Sequence, residues 1–256
     1  ANYWRNQSAE SGMRNAESPL EPQPLPGINR LAYVLNWGDL DSDGDLDLVT
    51  ATYDAGLLTD RGNEYLLDGK GGVTVYSSTS AAQPGCNCTW DPRLPDAIRA
   101  SNAKPIPPGF QSKVLTPDAM ALALDLVDLN NDGRLDILVG NDFEVRDEAW
   151  INAADGWQRS EPFATTTHST MSFGNGDLNN DGVTDIFASD MNPYNTSPQT
   201  LAEWLPVIAD LQPDREAGDP QIGQNVLHVP AADGKWRNQA TARGIDATGW
   251  SWSAGF

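Results

Sequence analysis

Three stretches of the chain superpose without a gap, and this self-similarity constrains the fold more than any other feature. They are WGDLDSDGDLDLVTAT from Trp37, LVDLNNDGRLDILVGND from Leu126 and NGDLNNDGVTDIFASDM from Asn175. Their first aspartates, Asp39, Asp128 and Asp177, stand 89 and 49 residues apart. A period near 50 residues is the mark of a repeat architecture, in which each unit buries its apolar face against a neighbour. Each copy is a D-x-[DN]-x-D-G-x-x-D turn that runs into an apolar, β-prone segment.

The strand pattern follows from period-2 alternation bounded by turn residues. One strand precedes each loop, as in Ala121 to Val127 and Thr170 to Phe173. A second follows it, over Leu46 to Thr52, Leu135 to Gly140 and Thr184 to Ser189. Further strands are expected at Val73 to Tyr76, Glu148 to Asn152 and Asn225 to Val229. Four short strands in about 50 residues make a propeller blade. The expected fold class is therefore all-β: a β-propeller, or a propeller-like array of four-stranded blades with calcium loops and an irregular Pro-rich insertion.

The whole chain, 1–256, reads as a single domain. Repeat units are expected at about 32–82, 118–167 and 168–245, with an insertion at 83–117 that carries seven prolines and accounts for the longer spacing. A short helix within 198–220 fits Leu201 to Leu205 and Val207 to Leu211. Trp4 to Met13 matches Trp236 to Ile245, so a partial unit at 248–256 is expected to be completed by residues 1–13. Were those halves on different molecules, head-to-tail self-assembly would follow.

The loops imply metal chemistry. Calcium takes about six to eight oxygens at roughly 2.3–2.6 Å, and a tight turn with carboxylates at alternate places wraps around it. Loop one offers Asp39, Asp41, Asp43 and Asp47 with the carbonyl of Asp45. Loop two offers Asp128, Asn130, Asp132 and Asp136 with the carbonyl of Arg134. Loop three offers Asp177, Asn179, Asp181 and Asp185 with the carbonyl of Val183. The expected cofactor is thus Ca²⁺ at three sites. An EF-hand needs a Glu at the twelfth place and helices on both sides. Here the twelfth places are Thr50, Val139 and Ala188, so the ninth-place aspartate must close each site and a strand follows.

These loops, with Phe173 to Gly182 and the lead-in Gly249 to Trp252, resemble the FG-GAP or VCBS repeat of integrin alpha-chain propellers and of many secreted bacterial proteins. The resemblance implies a propeller with a calcium ion in the turn between the first two strands of each blade.

Charge and missing motifs narrow the function. A formal charge of −20 repels nucleic acid and anionic membranes. No stretch approaches the roughly 20 apolar residues of a membrane helix. His168 and His228 are the only histidines, and no nucleophile elbow, P-loop or metalloprotease motif accompanies them. No enzyme is expected. Cys86 and Cys88 leave a strained bridge, an intermolecular bridge and two free thiols all open. Asn6, Asn87 and Asn195 fit the glycosylation acceptor pattern. Of nine tryptophans, Trp236, Trp250 and Trp252 are expected between blades, whereas Trp90, Trp150, Trp157 and Trp204 are candidates for exposed sugar platforms. The expected role is a secreted or cell-surface, calcium-binding structural or adhesive module with protein or self-association partners. The alternatives are a lectin-like propeller and a domain of a polysaccharide-acting enzyme.

Overall fold

The structure is a computed structural model that describes residues 2–6, 20–28, 32–53, 72–79, 109–142, 145–191, 193, 195, 197–211, 218–231, 233–249 and 251–255. Cys86, Cys88, Trp90, Asn87, Trp250 and most of the Pro-rich stretch lie outside these residues. The described part is an all-β, propeller-like array, as the repeat pattern predicts.

A hairpin of β1 (Asn2–Asn6) and β2 (Leu20–Pro24) comes first. The first blade is β3 (Val34–Gly38), β4 (Asp47–Ala51), β5 (Val73–Ser78) and β6 (Phe110–Thr116), hydrogen-bonded in that order. The second is β7 (Ala121–Val127), β8 (Asp136–Asn141), β9 (Glu148–Ala153) and β10 (Gly156–Ser160). After β11 (Thr166–Thr167), the third blade begins with β12 (Thr170–Gly176) and β13 (Asp185–Asp190). Helix α1 (Pro198–Leu211) and β14 (Gln221–Ile222) follow. Then β15 (Val226–Pro230) and β16 (Trp236–Asn238) complete the blade. A short helix, α2 (Ala240–Arg243), follows. All pairs within the blades are antiparallel; β11 and β14 pair in parallel.

One boundary is corrected. The insertion expected to run to residue 117 ends earlier, because Phe110–Thr116 returns to the first blade as its outer strand β6. Its exposed residues at 111–114 lack the inward alternation that marks a strand in sequence. Among the described residues β1 pairs with β2.

The blades stack through their first strands, with β7 lying against both β3 and β12. The faces between blades 1 and 2 bury Val49, Ala51, Val73 and Val75 against Ala121, Ile137 and Val139, with Leu124, Leu126 and Leu135 packed on them. Between blades 2 and 3, Val127, Leu138 and Ala149 meet Ile186, with Phe173 and Trp236 alongside. Beyond blade 3, residues 254–255 run so close to Gly174 of β12 that a side-chain Cβ there would sit 3.2 Å from the Gly255 nitrogen.

Helix α1 starts where its sequence predicts. The Ser197 hydroxyl accepts the Thr200 N–H at 3.3 Å, and Pro198 follows at the first helical place, where a missing N–H costs nothing. Trp150 and Trp157 pack against the core between blades 1 and 2 rather than standing as exposed platforms. Trp236 packs between blades as expected, but Trp252 is 67% exposed.

Candidate metal centres in the blade turns

Each Asp-rich loop joins the first two strands of a blade, between β3 and β4, β7 and β8, and β12 and β13. The three turns share one backbone. The fourth place is left-handed in all of them, at Ser42 (φ 61°), Asn131 (φ 58°) and Asn180 (φ 57°). The sixth place is Gly44, Gly133 and Gly182, with φ of 90°, 84° and 85°. Nothing lies within 4 Å of a Cβ added at those glycines, so conformation rather than space demands glycine.

That backbone turns N–H groups onto the side chains. In loop one the Asp39 carboxylate accepts the N–H groups of Asp43 and Gly44, both at 3.1 Å. Asp128 accepts those of Asp132 (3.1 Å) and Gly133 (2.8 Å), and Asp177 those of Asp181 (3.0 Å) and Gly182 (2.9 Å). The third-place side-chain oxygen of Asp41, Asn130 and Asn179 accepts the fifth-place N–H of Asp43, Asp132 and Asp181. The fifth-place aspartate accepts the seventh-place N–H from Asp45, Arg134 and Val183.

The result is convergence. Asp39, Asp41 and Asp43 each offer an oxygen, and the three lie within 4.8 Å of one another. Two oxygens on one calcium can be at most about twice the 2.3–2.6 Å bond apart, so this spacing fits such an ion. Burial raises the Asp41 pKa, and the carboxylates of Asp47, Asp43 and Asp39 raise it further. A cation among them relieves that repulsion. In loop two the Asp132 carboxylate pairs with the Arg134 guanidinium at 2.5 Å. A desolvation that raises its pKa is outweighed by the Arg134 N–H, the Asn130 amide and the guanidinium, which hold it below the ordinary value.

The ninth-place aspartates are fully buried and do two things. One oxygen of Asp47, Asp136 and Asp185 accepts the N–H of the loop's second residue, Leu40 (2.9 Å), Leu129 (2.9 Å) and Leu178 (3.1 Å). The other oxygen of Asp47 and Asp136 accepts an N–H from the third strand, from Ser78 and Asn152, both at 2.8 Å. Blade 3 has no such donor. The register Leu48 to Tyr76, Ile137 to Trp150 and Ile186 to His228 makes Pro230 the counterpart of Ser78 and Asn152. Proline has no N–H. Accordingly Asp185 Oδ1 is buried with no hydrogen-bond partner. Sequence reasoning assigned these aspartates to the metal alone, and only the strand register shows that they also tie loop to blade.

Neighbouring blades are linked as well. The Asn152 side-chain amide donates to the Leu40 carbonyl of loop one at 2.6 Å, and the Asn175 amide donates to Asp125 at 2.5 Å.

Asp190, at the end of β13 away from the loops, is buried and accepts the N–H groups of His168 and Ser169, each at 3.1 Å, and of Met191 at 2.7 Å. Burial pushes its pKa up to about 8, with the Asp147 carboxylate contributing. The folded state therefore holds a proton that the unfolded chain gives up near its ordinary value of 3.8. The associated stability is whole at acid pH and is lost as pH rises to about 8. At constant salt and in the same buffer ions throughout, the melting temperature is expected to fall by several degrees between pH 6 and pH 9. A flat or rising profile would contradict this assignment.

Stacked four-stranded blades with Asp-rich turns at one end define a propeller-type repeat protein. Consistent with this, residues 116–188 match the family model of the FG-GAP-like repeat, a span that holds loops two and three with their flanking strands. No curated protein matches the chain.

Proposed function

We propose that the chain is a calcium-stabilised extracellular repeat scaffold, in which one Ca²⁺ per loop closes the turn between the first two strands of each blade. The observation that carries this reading is the turn backbone repeated in all three loops, which in loop one brings oxygens of Asp39, Asp41 and Asp43 within 4.8 Å of one another. Asp39, Asp41, Asp43, Asp47 and the Asp45 carbonyl would hold the first ion. Asp128, Asn130, Asp132, Asp136 and the Arg134 carbonyl would hold the second. Asp177, Asn179, Asp181, Asp185 and the Val183 carbonyl would hold the third. The orphaned Asp185 Oδ1 gives the third loop an anionic oxygen without a protein donor. The extracellular setting is supported by the repeat family, which typically works outside the cell, and by the abundance of calcium there. Among the described residues no helix is long and apolar enough to cross a membrane.

Metal analysis of dialysed protein tests the assignment. Asp39→Ala, Asp128→Ala and Asp177→Ala are each expected to lower bound calcium by one ion. Unchanged calcium content in all three would reject it.

A second part of the reading, self-association, rests on the open face of blade 1. Tyr33 (61% exposed), Leu35 (55%), Trp37 (39%) and Leu46 (60%) lie on it. In blade 2 the repeat counterparts of Leu35, Trp37 and Leu46 are Leu124, Leu126 and Leu135, which pack on blade 1. Among the described residues this face, built like an interior one, stays exposed, and the occupant proposed is a second copy of the chain. Sedimentation with calcium is expected to show concentration-dependent association that Trp37→Glu abolishes. A monomer at every concentration would contradict it.

A further inference from the structure

Between blades 2 and 3 the packing opens into a cavity of about 220 Å³. Its apolar lining includes Leu138, Phe163 and Phe173, and its polar lining includes Glu148, Arg159, Thr166 and His228. The cavity has a cause in the repeat. His228 occupies the register position that Tyr76 fills in blade 1 and Trp150 in blade 2, and imidazole is the smallest of the three rings. Phe163 stacks on one face of His228 at a centroid distance of 3.8 Å and is itself braced edge-on by Trp236.

The chemistry of the lining discriminates among ligands. The guanidinium groups are already paired, Arg159 with Glu148 at 3.1 Å and Arg146 with Asp219 at 3.6 Å, so an anion finds no uncommitted cation here. Glu148 is committed on both oxygens, since the Trp150 indole N–H also donates to it at 3.0 Å. Glu161 stands exposed in the lining and adds negative charge, which also disfavours an anion, and the buried groups that lack partners are neutral. The Thr166 hydroxyl is buried at 6% exposure with no hydrogen bond. Burial drives the His228 pKa down to about 3, so its ring is uncharged and offers one donor and one acceptor. Groups that both give and take hydrogen bonds, beside aromatic and aliphatic faces, suit hydroxyls on a compact carbon ring. The volume lies below the roughly 300 Å³ at which pockets for drug-sized ligands begin, which limits the occupant to about one ring.

We propose that this cavity binds a single neutral sugar ring, with Thr166 and His228 taking its hydroxyl groups. The test uses the full calcium-loaded chain and titrates glucose, galactose and N-acetylglucosamine by ligand-observed NMR, with glucuronate and glucosamine as charged arms. At least one neutral sugar is expected to bind at millimolar concentration and to outcompete the charged ones. Thr166→Val, which keeps the shape and removes the hydroxyl, is expected to weaken it by about tenfold, because it leaves a sugar hydroxyl unpaired. His228→Phe is expected to weaken it further by refilling the space. Should His228→Phe fail to fold, Thr166→Val decides alone. The proposal is overturned if no neutral sugar binds by ~100 mM, a free energy of only about 1.4 kcal/mol. It is equally overturned if a charged sugar binds better, or if Thr166→Val binds as the parent does.

Discussion

Stripping calcium with a chelator is expected to lower the melting temperature by about 20 °C, since each site held at about 100 times its Kd contributes roughly 2.7 kcal/mol and each kcal/mol is worth about 2–4 °C in a chain of this size. The three loops together then supply about 8 kcal/mol, a large share of the roughly 5–15 kcal/mol by which domains are stable. The cause is visible at Asp41, where burial and three neighbouring carboxylates all disfavour the charged form that the loop must nevertheless carry. The metal-free loop has two ways out, to protonate or to open, and both loosen the turn between the inner strands. Magnesium is expected to restore less than calcium, because it demands near-octahedral geometry and keeps its waters. Identical melting curves in chelator and in calcium would refute a structural role for the ion.

The second large effect concerns the ninth-place aspartates, and it separates their tie to the blade from any tie to the metal. In metal-free protein Asp136→Asn is expected to cost about 2–4 kcal/mol, because an amide –NH₂ must face one of two buried N–H groups. Those groups belong to Leu129 in the loop and Asn152 in β9, so the substitution unpins the turn from its own blade. Asp185→Asn is expected to cost less than about 1 kcal/mol under the same conditions, because its Oδ1 meets no donor to begin with. The difference traces to Pro230, so Pro230→Ala should make Asp185→Asn costly. Thermal unfolding in chelator of the two single variants, and of Asp185→Asn in the Pro230→Ala background, measures this. Equal costs for Asp136→Asn and Asp185→Asn would contradict the register argument.

The loops and their strands were legible in sequence because they rest on local rules. A glycine at the sixth place, carboxylates at alternate places and an apolar run after the ninth define the turn and the strand that leaves it. What escaped notice depended on contacts between distant segments. Strand β6 carries exposed residues at 111–114, so its sequence resembles the loop that precedes it. The two-residue pairing of Thr166–Thr167 with Gln221–Ile222 bridges some 55 positions and has no periodicity to detect. The second task of Asp47 and Asp136 depends on which residue of the third strand stands opposite, a matter of register rather than spacing. Trp150 and Trp157, read from composition as candidate sugar platforms, are claimed by the core between blades 1 and 2. The polar cavity between blades 2 and 3 arises instead where a histidine replaces a larger ring.

Crystals grown with calcium and measured for anomalous scattering test the central claim most directly. The account predicts one calcium peak in each loop, with oxygens of Asp39, Asp41 and Asp43, of Asp128, Asn130 and Asp132, and of Asp177, Asn179 and Asp181 at roughly 2.3–2.6 Å. Loops that stay free of anomalous density in saturating calcium would contradict it.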